Sequence, residues 1–561
     1  MKGTVYERVG GLQPGRSAFD LSHSKMFDCN LGHIVPVLVQ DVGPGDIFDL
    51  GASQITKMQP MVVPVYHRMD ICYHVFFIPY RLIWSSWQKF ITGGVTGDAN
   101  VALPCLWSEG ETDMPTVLAR YGIWDYAGFR MDADLDNQVF TTLPKVQDFI
   151  WRAYWAVWRD YYRDENFQTV FPGSSIDVGQ DETEQMYALE EFMQLQVVDD
   201  DIYRFPADRL AYRCWSKDYF TSALPWQQRG TSPAIPITGA AAAQWASNLF
   251  LSEDMPVNFA PPNWDNGNPS ILYAKAAKFD NTDGMGSARA ANMHAWANSN
   301  TISLSTVGAD INDLRYAVQV QKWLERNARG GYRYNEYLMA HFNEAPRDDR
   351  LQRPEYIGGM RQPIITSEVL QTSATETESP QGTFAGHGMS VGQSFTGRYH
   401  AREHGIILGL MSIMPEAVYQ QGIPRQWTRQ TRFDFYSPEF AHLSEQEIKL
   451  SELYYQNTDA DNTRFGFQGA YDEYRTANSV VCGKLATSLK YWTLSRIFDS
   501  APTLNSTFLT TEALSKTRRQ AWAVPGVENG SQGEFLVRWN NHVKALRPMP
   551  YIPEPGLLDH F

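Results

Sequence analysis

The chain has 561 residues, 43% hydrophobic and 20% charged: enough apolar material for a large buried core and too little charge for a disordered polymer. Its formal net charge of -15 excludes a surface coated throughout with Lys and Arg for phosphate backbones, so any nucleic-acid contact is local. The aromatic share of 13%, with 17 Trp, 28 Tyr and 29 Phe, points to extensive protein–protein contact, because large rigid rings dominate cores and interfaces.

In chain order, residues 1–30 are polar and carry Lys2, Arg8, Arg16 and Lys25, which reads either as an extended arm that orders only against another surface or as a frayed end. No apolar stretch follows Met1 as a signal peptide requires, and no run reaches the length of a membrane span. Residues 31–230 open with short Val- and Ile-rich runs broken by Pro36, Pro44-Gly45 and Pro60, a pattern of strands and turns. Met69 to Pro79 is apolar on both alternating faces, so it predicts a strand covered on both sides. Ile83, Trp87 and Phe90 recur at helical spacing up to Gly93-Gly94, and a longer helical face runs from Val146 through Phe149, Tyr154 and Val157 to Tyr161. The acidic stretch Asp177–Asp201 predicts a loop.

Residues 231–300, with the run Ala240 to Ala243 and the turn Pro261-Pro262-Asn263-Trp264, predict a long surface insertion. Residues 301–561 supply the rest of the core. A helix runs from a cap at Asp310 to Gly330-Gly331, and β texture returns after Gly392 with Gly405–Met414 as a nearly continuous apolar strand. Strands toward both ends with helical and irregular excursions between them predict a mainly β fold, an antiparallel jelly-roll sandwich with long helical and loop insertions.

Catalytic signatures mostly fail. His400-Ala401-Arg402-Glu403-His404 has the H-x-x-E-H form of inverted zinc peptidases, but that chemistry needs a helix. Here β texture flanks the motif, and along a strand the two imidazoles would stand about 13 Å apart. No phosphate-binding loop is present, and Cys29, Cys72, Cys105, Cys214 and Cys482 are scattered without metal spacing, as expected of free thiols in a reducing compartment; no cofactor is expected. Glu190-Glu191 and Asp199-Asp200-Asp201 read as solvated loop charges. Arg326, Arg329 and Arg333, Arg353, and Arg425, Arg429 and Arg432 interleaved with Trp427, Phe433 and Phe435, are candidates for contact with a neighbouring subunit or with exposed bases, the acidic balance favouring subunits.

Long segments in order, among them Tyr73-His74-Val75-Phe76-Phe77-Ile78-Pro79-Tyr80-Arg81, Asp218-Tyr219-Phe220-Thr221-Ser222-Ala223-Leu224-Pro225-Trp226, Leu324-Glu325-Arg326-Asn327-Ala328-Arg329-Gly330-Gly331 and Arg429-Gln430-Thr431-Arg432-Phe433-Asp434-Phe435-Tyr436, resemble the major capsid protein of microviruses, particularly the gokushovirus branch. The resemblance implies an eight-stranded viral jelly roll and a T=1 icosahedral shell enclosing circular single-stranded DNA in the virion. It also implies a small basic DNA-binding partner and assembly in a bacterial cytoplasm. Residues 231–300 stand where that branch carries a threefold protrusion thought to touch a host receptor, making Trp245, Trp264, Asp265, Asn266, Tyr273 and Trp296 attachment candidates. The alternatives are a zinc hydrolase built on His400, Glu403 and His404, and a carbohydrate-binding jelly roll with Trp245, Trp264 and Trp296 as sugar platforms.

Overall fold

The computed structural model describes residues 15–59, 65–95, 122–129, 147–169, 210–233, 311–331, 333–370, 384–511 and 534–552, with residues 101, 103 and 104 and a few short strands elsewhere. The chain forms two compact units, residues 1–227 with 327–561, and residues 228–326. In the second unit Ala240–Ala241 pairs with Ile302–Ser303, and the Gln321 amide donates to Glu325 (2.8 Å).

The first unit contains the jelly roll. Its strands are β1 (Ser17–Asp20), β2 (His23–Cys29), β3 (Val35–Val42), β4 (Ile47–Met58), β5 (Met69–Pro79), β6 (Glu355–Leu370), β7 (Phe384–His400), β8 (Gly405–Pro415) and β9 (Phe535–Arg547). β1 and β2 follow one another along the same edge of β9, so nine segments fill eight positions. One sheet runs β2-β9-β4-β7 and the other β3-β8-β5-β6, all antiparallel, the strand order of a jelly roll. β6 serves both sheets: Glu355 to Ile364 pairs with β5, and Ile365 to Leu370 pairs with β7. Pro363, which has no N–H to give to a ladder, stands next to this change of partner.

The two sheets differ in burial for a reason visible in their sequences. β4 and β9 alternate, with Phe48, Leu50, Ala52 and Phe535, Val537, Trp539 inward and less buried residues between them, so one face is open. β5 and β8 are apolar on both faces and buried throughout except His74, because helices lie on the outer side. These helices are α1 (Tyr80–Ile83), α2 (Trp87–Thr92), α3 (Ile123–Ala127) and α4 (Phe149–Val157), the last continuing into a π-helical turn, Trp158–Tyr162. Gly93 closes α2 in the left-handed region (φ 73°), as its position at the end of the apolar pattern predicts. Tyr154 of α4 is buried and its hydroxyl donates to the Ile34 carbonyl (2.9 Å) while accepting from the Ala211 N–H (2.9 Å), fixing helix to sheet.

Asn541 links the sheets through the core. Its amide donates to the Val37 carbonyl of β3 (3.0 Å), and its oxygen accepts from the Trp539 indole N–H (2.9 Å). Val37 is the extra residue of a bulge in β3, which frees its carbonyl for this bond. Replacing Asn541 with Leu strands both groups in the core; we expect a loss of about 2–3 kcal/mol in urea unfolding, and an unchanged midpoint would refute this tie.

Three sequence expectations change. The 1–30 segment is not a separate arm from Ser17 onward: it lies on the chain's own β9, and burial pushes the Lys25 ammonium down to about 8, with Nζ donating to the Pro36 carbonyl (2.7 Å) and also to that of Tyr126. β structure returns at Glu355 rather than after Gly392. Within the acidic stretch Gln196–Val198 is a strand, part of a small sheet with Ile202–Arg204, Thr116–Ala119 and Asn137–Phe140. The helix α5 (Ile311–Gly330) is followed by Gly331 at φ +99, the left-handed stop expected there, and then by α6 (Tyr334–Phe342); Asp310 and Val146 lie outside the described residues.

Candidate assembly surfaces

The H-x-x-E-H motif is not helical. His400 ends β7, residues 401–404 turn, and Gly405 begins β8. The Glu403 carboxylate is gripped by Arg81 through two bonds (2.6 and 3.0 Å), and the His404 ring packs on Trp87 (centroids 5.5 Å apart). No group of three or more His, Cys, Asp or Glu side chains suited to a metal occurs among the described residues.

The predicted arginines separate into two kinds. Five are held by carboxylates of their own chain: Arg329 by Glu445, Arg333 by Glu336 (3.2 Å), Arg353 by Asp348 (2.6 Å), Arg425 by Glu452 (3.2 Å) and Arg429 by Glu473 (2.9 Å). Burial raises the Glu452 carboxyl above its ordinary range, and Arg425 opposes that shift. Arg326 and Arg432 are exposed and form no ion pair among the described residues. The guanidinium–ring pattern of the sequence is realised, since Arg429 lies over Tyr474 (4.3 Å) and Phe435 (5.4 Å), and Arg432 over Phe433 (4.8 Å).

Around these arginines the rings stand open to solvent. Trp427 is 74% exposed, and Phe433, Phe435, Tyr436 and Tyr474 are each about half exposed. The supporting frame is tied by hydrogen bonds: Arg425, in the 3-10 turn Arg425–Trp427, also donates to the Glu447 carbonyl (2.7 Å), and the Tyr471 hydroxyl donates to that of Phe433 (2.9 Å).

A second uncovered surface was not anticipated. On the outer face of the β2-β9-β4-β7 sheet the register aligns Met26, Arg538, Ile55 and Val391 in one row and Leu536, Lys57, Met389 and Ile365 in the next. All six apolar side chains are exposed, Ile365 to 71%. The outward apolar residues Ile55 and Leu536 in otherwise alternating strands were the available signal. Apolar patches of this kind mark interaction sites. Tyr474 and Glu473, which complete the aromatic surface, were also missed, because they reach it from some forty residues downstream. Trp245, Trp264, Asp265, Asn266, Tyr273 and Trp296 lie outside the described residues.

Residues 8–557 match the family described as Capsid protein (F protein). The chain is 31% identical to Capsid protein VP1 of Chlamydia phage 1, covering 97% of this chain and 96% of that protein. It is 31% identical to Capsid protein VP1 of Bdellovibrio phage phiMH2K, covering 90% and 89%, and 28% identical to that of Spiroplasma virus 4, covering 97% and 95%. With a match over nearly the whole length and eight jelly-roll positions filled in order, the chain belongs to the capsid protein (F protein) family, as its microvirus resemblance implied, and is a structural component of a virion.

Proposed function

We propose that copies of this chain close into a T=1 icosahedral shell of the gokushovirus type, one chain per asymmetric unit, around a circular single-stranded DNA genome. The observation that carries this is the pair of chemically different uncovered surfaces, one aromatic with guanidinium groups and one aliphatic with Lys57 and Arg538. Shell contacts of the heterologous kind join unlike patches, so a single chain needs at least two. Five of the seven singled-out arginines neutralise carboxylates of their own chain and the net charge is -15, so genome charge falls to a separate small basic protein. Free thiols, with Cys29 and Cys72 buried, fit assembly in a bacterial cytoplasm. Electron microscopy and sedimentation of the purified chain are expected to show particles of one diameter; a strictly monomeric species would refute the reading.

Residues 231–300 form the host-facing insertion in this reading, and the separate compact unit at 228–326 supports it. Deleting 231–300 is expected to leave shells that form while adsorption to the host receptor falls. Loss of assembly in that deletion would make the segment structural instead.

A further inference from the structure

A cavity of about 830 Å³ opens on the outer face of the β3-β8-β5-β6 sheet. His74 and Phe76 of β5 and Tyr356 of β6 line it from the sheet, and the segments Tyr161–Asn166 and Arg213–Lys217 add further walls. His74 is the only residue of β5 that is not fully buried, so the cavity is built over the one incompletely covered position of that strand. Its volume lies within the roughly 300–1,000 Å³ of small-ligand sites.

The lining carries six Lys or Arg side chains against four carboxylates. Lys217, Arg333 and Arg353 are matched by Asp164, Glu336 and Asp348, and Arg329 is held by Glu445. Arg213 forms no ion pair among the described residues. It donates to the Ser412 hydroxyl (2.9 Å) and lies over the Tyr162 ring (5.6 Å), leaving further N–H groups for an oxyanion. The balance is made more positive at Glu336, while His74 adds no charge to it. Burial holds Glu336 above the ordinary carboxylate range, against Arg333 and helped by the neighbouring Glu165, which removes negative charge. Burial and then Arg213 push His74 down to about 4, so it stays neutral and hydrogen-bonds the Tyr162 hydroxyl (2.8 Å). Beside this cationic seat the Tyr356 ring is 49% exposed. An acidic peptide would use the cations and leave that ring face idle; a nucleotide uses both.

We propose that this cavity seats a nucleotide of single-stranded DNA, its phosphate on Arg213 and Lys217 and its base against Tyr356. The proposal rests on the reading of the chain as a shell around such a genome, and it adds where the strand is held. The test uses the full-length chain with a short 5-iodouracil-substituted oligodeoxythymidylate, measuring affinity and mapping photo-adducts by mass spectrometry. We expect adducts on peptides containing Tyr356, Tyr161 or Trp215, and about tenfold weaker binding in both Arg213→Gln and Tyr356→Ala, with Cys482→Ser unchanged. The exposed Tyr356 keeps the test decisive should Arg213→Gln not fold. Affinity is expected to fall steeply with salt. Adducts confined elsewhere with both variants unchanged would overturn the proposal. Equal competition by inorganic phosphate would reduce the cavity to an anion site, and equal binding of poly-glutamate would reassign it to a protein segment; either result overturns the nucleotide. Shell formation is scored separately by sedimentation, so failure to assemble sinks the shell reading without touching this binding measurement.

Discussion

Trp427→Glu is expected to abolish shell formation at concentrations where the unmodified chain assembles, while its thermal unfolding stays the same. The ring is 74% exposed on the single chain, so its loss costs the fold about 0.5 kcal/mol or less. The proposed shell buries the same ring against a neighbouring copy, and truncating a Trp anchor of that kind costs about 2 kcal/mol or more per contact before the added carboxylate is counted. At about 1.4 kcal/mol per tenfold, the assembly threshold rises about thirtyfold. Arg432, stacked on Phe433 beside it, predicts a smaller effect in the same direction. Sedimentation across a concentration series reads the threshold; shells forming at the original concentration would remove this surface from the assembly.

Asp148→Ala is expected to destabilise the folded chain by about 3–5 kcal/mol. Asp148 precedes α4, and its carboxylate accepts from Arg152 Nε (2.7 Å) one turn later, with side chains 4% and 9% exposed. Arg152 also donates to the Ile83 carbonyl (3.2 Å), tying α4 to α1. Solvent screening is slight at that burial, and removing the carboxylate leaves a buried guanidinium uncompensated. Replacing both partners with apolar residues of similar size removes charge and counter-charge together, so Asp148→Leu with Arg152→Met is expected to recover most of the loss. Urea unfolding of the two singles and the double measures the coupling, and additive losses would show that the pair is not a unit.

The elements legible in the sequence were those whose burial is written locally. β5 and β8 are apolar on both faces and stand within one residue of their predicted limits, and α5 stops at its glycines. β6 lacks a local strand signature, since Gly358, Gly359 and Pro363 are residue types depleted from strand interiors. A side chain at Gly358 would collide with the Thr396 carbonyl, so the glycine marks close strand approach in place of a turn. β1 and β2 read as an arm because their partner strand begins at Phe535, beyond the reach of any local pattern. The arginine–aromatic surface was legible in residue type. Its pairing was not, since Glu452 and Glu473 meet Arg425 and Arg429 only once the intervening connections have folded.

The position of β9 sets a timetable. It fills the gap between β2 and β4, and the bond from the Leu31 N–H to the Glu534 carboxylate spans 503 residues. At about 5–20 residues per second, a ribosome needs about 25–100 s to make that interval, during which both flanking strands wait with an unpaired edge. A nascent or truncated polypeptide lacking Phe535–Arg547 therefore has no finished barrel to offer its neighbours.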